Sequence, residues 1–150
     1  MHAGANGSVA MADVSSKEAT SRVAVAKGCI TMNEKAFHAV LEGVVKKGDV
    51  LGVARVAGIM AAKRTAELIP LCHTLSVDAC SVELTPLPNT LAVEACCTVK
   101  TFGKTGVEME ALTGVSIALL TIYDMCKPID HDMIIGNVRL WKKTGGKSGQ

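Results

Sequence analysis

The run from Leu91 to Lys100 constrains the fold more than any other stretch. Leu91, Val93, Ala95, Cys97 and Val99 alternate with Glu94, Thr98 and Lys100. A period of two places the apolar set on one face of an extended strand and the polar set on the other. Upstream, Thr85-Pro86-Leu87-Pro88-Asn89 has turn chemistry, and Leu75 to Leu84 reads as a partner strand whose alternation breaks near Ser81. Two strands joined by so short a turn run antiparallel. A hairpin in mid-chain argues against an all-parallel doubly wound sheet and for an α+β sandwich.

The flanking segments fit that frame. Val23, Val25 and Ile30 predict a strand over Arg22 to Met32, with a bulge at Lys27-Gly28. Asn33 caps a helix carrying Ala36, Phe37, Val40, Leu41 and Val44, with Gly43 near its stop. Asp49 caps a second helix that runs through Leu68 and ends before Pro70. The Gly-rich turn Thr101 to Gly106 opens a long helix through Met109, Leu112, Ser116, Leu119, Ile122 and Cys126, stopped by Pro128. A last strand spans Met133 to about Lys143 and leads into a flexible Gly-rich tail. The order predicts a mostly antiparallel sheet with helices on one face. Residues 1–12, nearly uncharged, are expected to be mobile ahead of a single domain over 13–150.

Composition narrows the function. Hydrophobic residues make up 49% of the 150, which excludes intrinsic disorder, and only 3% are aromatic. The core must be aliphatic, and single-stranded nucleic-acid readers, which stack bases on aromatic faces, are disfavoured. The net charge is only +2, yet Arg139, Lys142, Lys143 and Lys147 follow the last acid, Asp132. The six cysteines form no C-x-x-C pair and no apolar leader opens the chain, so a reducing cytoplasm without disulfides or structural zinc is expected. The longest apolar run, Val56 to Ala62, falls far short of the roughly 20 residues that span a bilayer.

Several patterns carry chemistry. Gly103-Lys104-Thr105 invites a P-loop reading, but the motif needs glycine where Thr98 stands, leaving a generic anion site at a helix start. An adjacent Cys72-His73 pair is more often structural than catalytic, although His73 can move protons near neutrality. Glu108 and Glu110 complement the helix dipole and point to different sides. Asp124 and Lys127, at i and i+3, form a local ion pair. The acid's apolar neighbours (Leu119, Leu120, Ile122, Tyr123, Met125) predict a partly buried proton-transfer couple. Glu110 and Asp124 are separated by fourteen positions, about 21 Å of helix rise, within roughly 40° of one face. One small molecule cannot touch both from a single chain, so a shared ligand needs a second subunit or must itself be long. Lys46, Lys47, Arg55, Lys63 and Arg64, with Lys127 and Lys143, are enough cations to neutralise several phosphates.

Several long motifs occur in order. They are Met11-Ala12-Asp13-Val14-Ser15, Lys47-Gly48-Asp49, Ala61-Ala62-Lys63-Arg64-Thr65 and Leu68-Ile69-Pro70-Leu71-Cys72-His73. Lys104 to Thr113, Leu120 to Lys127 and Lys143 to Gly149 follow. From Asp13 to Gly149 the chain resembles the molybdenum cofactor biosynthesis protein C (MoaC) family. The resemblance implies a ferredoxin-like fold and a cyclic pyranopterin monophosphate synthase. Such an enzyme rearranges 3′,8-cyclo-7,8-dihydroguanosine triphosphate, the product of a radical GTP cyclase, and releases pyrophosphate. It implies a homohexamer, a trimer of dimers, with active sites at a subunit interface. It assigns catalysis to Asp124, Lys127 and Lys47 and the substrate pocket to Leu71, Cys72, His73, Met109 and Glu110, with Lys143 a further functional cation. On this reading Lys63 and Arg64 also bind the triphosphate. No cofactor is required, and Mg²⁺ can accompany pyrophosphate. Thr74 and Asn137 stand where relatives usually carry proline. The competing class is a ferredoxin-like module that binds a nucleotide without chemistry.

Overall fold

A computed structural model describes residues 7–146. Residues 1–6, the start of the stretch expected to be mobile, lie outside it, as do Lys147 and the rest of the Gly-rich tail. The elements are β1 (Thr20–Thr31), α1 (Glu34–Glu42), α2 (Val50–Lys63), α3 (Thr65–Leu68), β2 (Ala79–Leu87), β3 (Ala92–Gly103), α4 (Glu108–Cys126) and β4 (Ile134–Thr144). The sheet order is β2-β3-β1-β4, with every pair antiparallel. The expected α+β sandwich is present. Alternation sets its inner face: Ala24, Ala26 and Ile30 of β1 and Val93, Ala95, Cys97 and Val99 of β3 are fully buried. Against them α4 packs Ala111, Val115, Ala118, Leu119 and Ile122. At 19 residues α4 is long and apolar enough to cross a bilayer by composition, but here it is the core helix and 56% buried.

Both predicted caps form. Asn33 Oδ1 accepts from Ala36 N at 2.8 Å and Asp49 Oδ1 from Gly52 N at 3.2 Å. The second helix is shorter than its pattern. It breaks at Arg64 because the buried Thr65 hydroxyl donates to the carbonyls of Ala61 and Ala62 at 3.1 and 3.0 Å, and α3 restarts beyond. The hairpin turn also shifts. Pro86 and Leu87 stay in β2, opposite Val93 and Ala92, and a 3-10 turn over Pro88–Thr90 makes the reversal. Proline is tolerated because β2 is an edge strand. Leu75 to Asp78 is not strand: Asp78 is tied to β3 by its carboxylate, which accepts from Phe102 N at 2.9 Å.

The bulge expected at Lys27-Gly28 belongs to β4. Lys27 pairs with Arg139 and Cys29 with Gly136, so Asn137 and Val138 together oppose Gly28. Gly28 must remain bare, since a Cβ there would lie 2.8–3.0 Å from Val138, Leu119 and Val115. Asn137 absorbs the extra residue at φ 56°. A proline ring, held near −65°, cannot adopt that backbone.

Helices α2 and α4 cross where Gly58 meets Gly114. A Cβ on Gly114 would sit 2.7 Å from Cys97 Sγ and 3.2 Å from the Gly58 carbonyl oxygen. Gly114→Ala should therefore destabilise by about 1–2 kcal/mol, read as a lower thermal midpoint. An unchanged midpoint would show that the crossing has slack.

Candidate active site

The N-terminal end of α4 borders a cavity of about 240 Å³ lined by Leu71, Cys72, His73, Met109, Glu108, Thr105 and Gly106, and on its far wall by Ala12, Val14 and Lys17. Pro70 ends the helical stretch and turns Leu71-Cys72-His73 across the head of α4. His73 Nε2 lies 2.7 Å from the Ala12 carbonyl oxygen. Behind this wall is Glu110, only 3% exposed. Cys72 Sγ donates to its Oε2 at 3.8 Å, and Oε1 is buried with no hydrogen-bond partner. Burial pushes the Glu110 carboxyl up, against the smaller pulls of its own backbone N–H and of the Cys72 thiol. Burial and the nearby Glu110 push the Cys72 thiol up to about 11, so at neutral pH it is a thiol and a donor, not a nucleophile. Glu108 and Glu110 do point to different sides: Glu108 lines the cavity and Glu110 lies beneath it.

A narrower cleft of about 90 Å³ continues from the cavity, sharing Lys17, Thr105, Gly106 and Glu108 with it. It adds Arg22, Lys143, Thr144 and Gly145. Arg22 Nε donates to the Gly103 carbonyl at 3.0 Å and Nη2 to that of Lys104 at 3.3 Å, fixing the loop into α4. Antiparallel pairing of β1 with β4 carries Lys143 alongside Ala24. Three cations thus meet beside a helix start, an arrangement suited to phosphates. Sequence reasoning named Lys143 but missed Lys17 and Arg22. The missed signal is the strand register, which pairs Arg22 with Thr101.

The other end of α4 holds a second group. Asp124 Oδ2 is 2.9 Å from Lys47 Nζ and Oδ1 is 3.0 Å from Lys127 Nζ. Lys47 comes from the loop between α1 and α2, Lys127 from the C-cap of α4. The expectation of a partly buried Asp124 is wrong. Leu120, Asp124 and Lys127 form the exposed stripe of α4, while Leu119, Ile122, Met125 and Cys126 face inward, so sequence neighbours in a helix are not spatial surroundings. The Lys47 ammonium foremost, then that of Lys127, holds the Asp124 carboxyl below the usual carboxylate range. One carboxylate with two ammoniums, open to solvent, can both accept and donate protons.

One chain therefore brings together Leu71, Cys72, His73, Met109 and Glu110 at one end of α4, with Lys143 close by, and Lys47, Asp124 and Lys127 at the other. It does not unite the two groups. Lys63 and Arg64, exposed at the end of α2, line neither the cavity nor the cleft.

Residues 11–146 match the MoaC family. The chain belongs to that family. Among curated proteins it is similar to the cyclic pyranopterin monophosphate synthase of Clostridium botulinum (strain Alaska E43 / Type E3), with 59% identity over 95% of this chain and 90% of the relative. Proteins of the same name from Heliobacterium modesticaldum and Parvibaculum lavamentivorans are 55% and 54% identical, each over 99% of this chain and over 93% and 92% of their own lengths. The MoaC match starts at Met11 and so takes in the Ala12–Lys17 wall of the cavity.

Proposed function

We propose that this chain is a cyclic pyranopterin monophosphate synthase, a lyase of molybdenum cofactor biosynthesis. It converts 3′,8-cyclo-7,8-dihydroguanosine triphosphate to cyclic pyranopterin monophosphate and pyrophosphate. The observation that carries the reading is the two-compartment site, a cavity with His73 and a buried carboxyl opening into a cleft with Lys17, Arg22 and Lys143, in a chain 59% identical to a synthase. The ring system fits the cavity, where His73 orients it and Glu110, beneath the wall, acts through the Cys72 thiol, and the triphosphate fits the cleft. There Arg22 and Lys143 stabilise the departing pyrophosphate, with Mg²⁺ as its companion in solution. Asp124, kept ionised, takes protons during ring opening and closure, and Lys47 and Lys127 return them.

The roughly 21 Å of helix between Glu110 and Asp124 favours a proton-exchange group supplied by a second subunit over one long ligand spanning a single chain. We therefore place the active site at an interface of a homohexamer, a trimer of dimers, acting in the cytoplasm after a radical GTP cyclase. Lys63 and Arg64 are left to serve the phosphates across that interface.

The test is to incubate the protein with the cyclised triphosphate and follow pyrophosphate and the cyclic product. Stoichiometric release of both is expected. Binding with the substrate returned unchanged would favour the non-catalytic nucleotide module instead.

A further inference from the structure

We infer that the segment Ala12–Lys17 is a working wall of the site, and that Lys17 is a substrate-binding cation shared by its two compartments. This inference rests on the synthase reading above. Three observations on the segment carry it.

First, the segment is seated by the site itself. The Ala12 carbonyl can only accept, so the 2.7 Å contact puts the hydrogen on His73 Nε2, and in the neutral ring Nδ1 is left as the acceptor. Second, the segment is a built turn. Lys17 N donates to the Val14 carbonyl at 3.0 Å and Ser15 N to Asp13 Oδ1 at 2.8 Å, which presents Val14 and Lys17 to the cavity. Third, Lys17 stands at the junction. Of the four residues common to cavity and cleft, Thr105 and Gly106 are neutral, Glu108 is acidic and Lys17 alone is basic.

The charge at that junction decides what can pass it. A polyphosphate entering the cleft must run beside the Glu108 carboxylate, whose field opposes it. Lys17 offsets that field where the ligand crosses from cavity to cleft, while Arg22 and Lys143 lie farther along. The role assigned to Lys17 is uniform binding of the phosphate chain, so its loss should appear in KM rather than kcat.

The experiment compares wild type with Lys17→Gln and Lys17→Arg, and with a chain lacking residues 1–12. Lys17 is exposed, so its substitutions should shift the thermal midpoint by less than about 2 °C. Lys17→Gln should raise KM for the cyclised triphosphate about tenfold, with kcat changed less than about threefold. Inhibition by added pyrophosphate should weaken in parallel, and Lys17→Arg should restore both. Removal of residues 1–12 should give the same KM increase although Lys17 is retained, because the Ala12 acceptor is gone. An unchanged KM in Lys17→Gln or in the shortened chain would overturn the inference, as would failure of Arg to restore it. Calorimetric binding of pyrophosphate to wild type and Lys17→Gln keeps the two readings apart. If wild type shows no turnover, the synthase reading fails, and equal pyrophosphate affinities then separately sink the role of Lys17.

Discussion

Asp124→Asn is expected to lower turnover by about 10³-fold or more while leaving the thermal midpoint and the assembly unchanged. The amide keeps the shape of the carboxylate but loses its charge, and the ammoniums of Lys47 and Lys127, now 2.9 and 3.0 Å from its oxygens, lose their common partner. On the proposed mechanism catalysis suffers because the ionised Asp124 carboxylate takes up the proton, and an amide cannot replace it. Stability does not suffer, because all three side chains are about half exposed and such pairs contribute little. The same variant tests the shared site. Asp124→Asn and His73→Ala should each be inactive alone, since each ruins every site. Mixed after unfolding and refolding together, they should recover about a quarter of wild-type activity, because half of random pairs are hybrids with one intact site in two. Mixtures no more active than the separate variants would show that each chain works alone.

Glu110→Gln should move activity and stability in opposite directions. Glu110 is buried with one oxygen unpartnered, and its folded-state value lies above the ordinary glutamate range. For a raised acid, the stability of the neutral form is fully present below the ordinary value and is lost as pH rises through the folded one. At pH 7–8 the wild-type fold therefore carries the cost of a desolvated carboxylate, which glutamine removes. The variant should gain about 1 kcal/mol there, or about 2–4 °C, and the gain should vanish near pH 4. Product formation should fall about 10²-fold, because the amide has neither the charge of the carboxylate nor its capacity to take up a proton. A variant that is less stable than wild type at pH 8 would mean that the Cys72 thiol and the Glu110 backbone N–H together offset the desolvation of the carboxylate.

Periodicity made most of the architecture legible. The alternation of Val93, Ala95, Cys97 and Val99 and the stripe of Leu119, Ile122 and Cys126 report which face each element buries, although Met109, at the start of the same expected stripe, is exposed beside the cavity. Caps at Asn33 and Asp49 are local chemistry and were equally readable. Boundaries were not. The break at Arg64 depends on a buried hydroxyl turning back on its own helix, and the β4 bulge depends on what packs over Gly28. The motif residues of the site could be named from their order, but the burial of Glu110 and the exposure of Asp124 could not.

The amino-acid sequence alone determined the class of fold and the family, because hydrophobic period and motif order are properties of neighbours along the chain. Tertiary structure alone decided that Arg22 and Lys17 stand with Lys143, and that Glu110 is desolvated while Asp124 is wet. Those facts follow from strand register, from the facing of a helix and from a fold-back segment, each of which brings together residues that lie far apart in sequence. Charge and burial act through space, so only the packed chain reveals them.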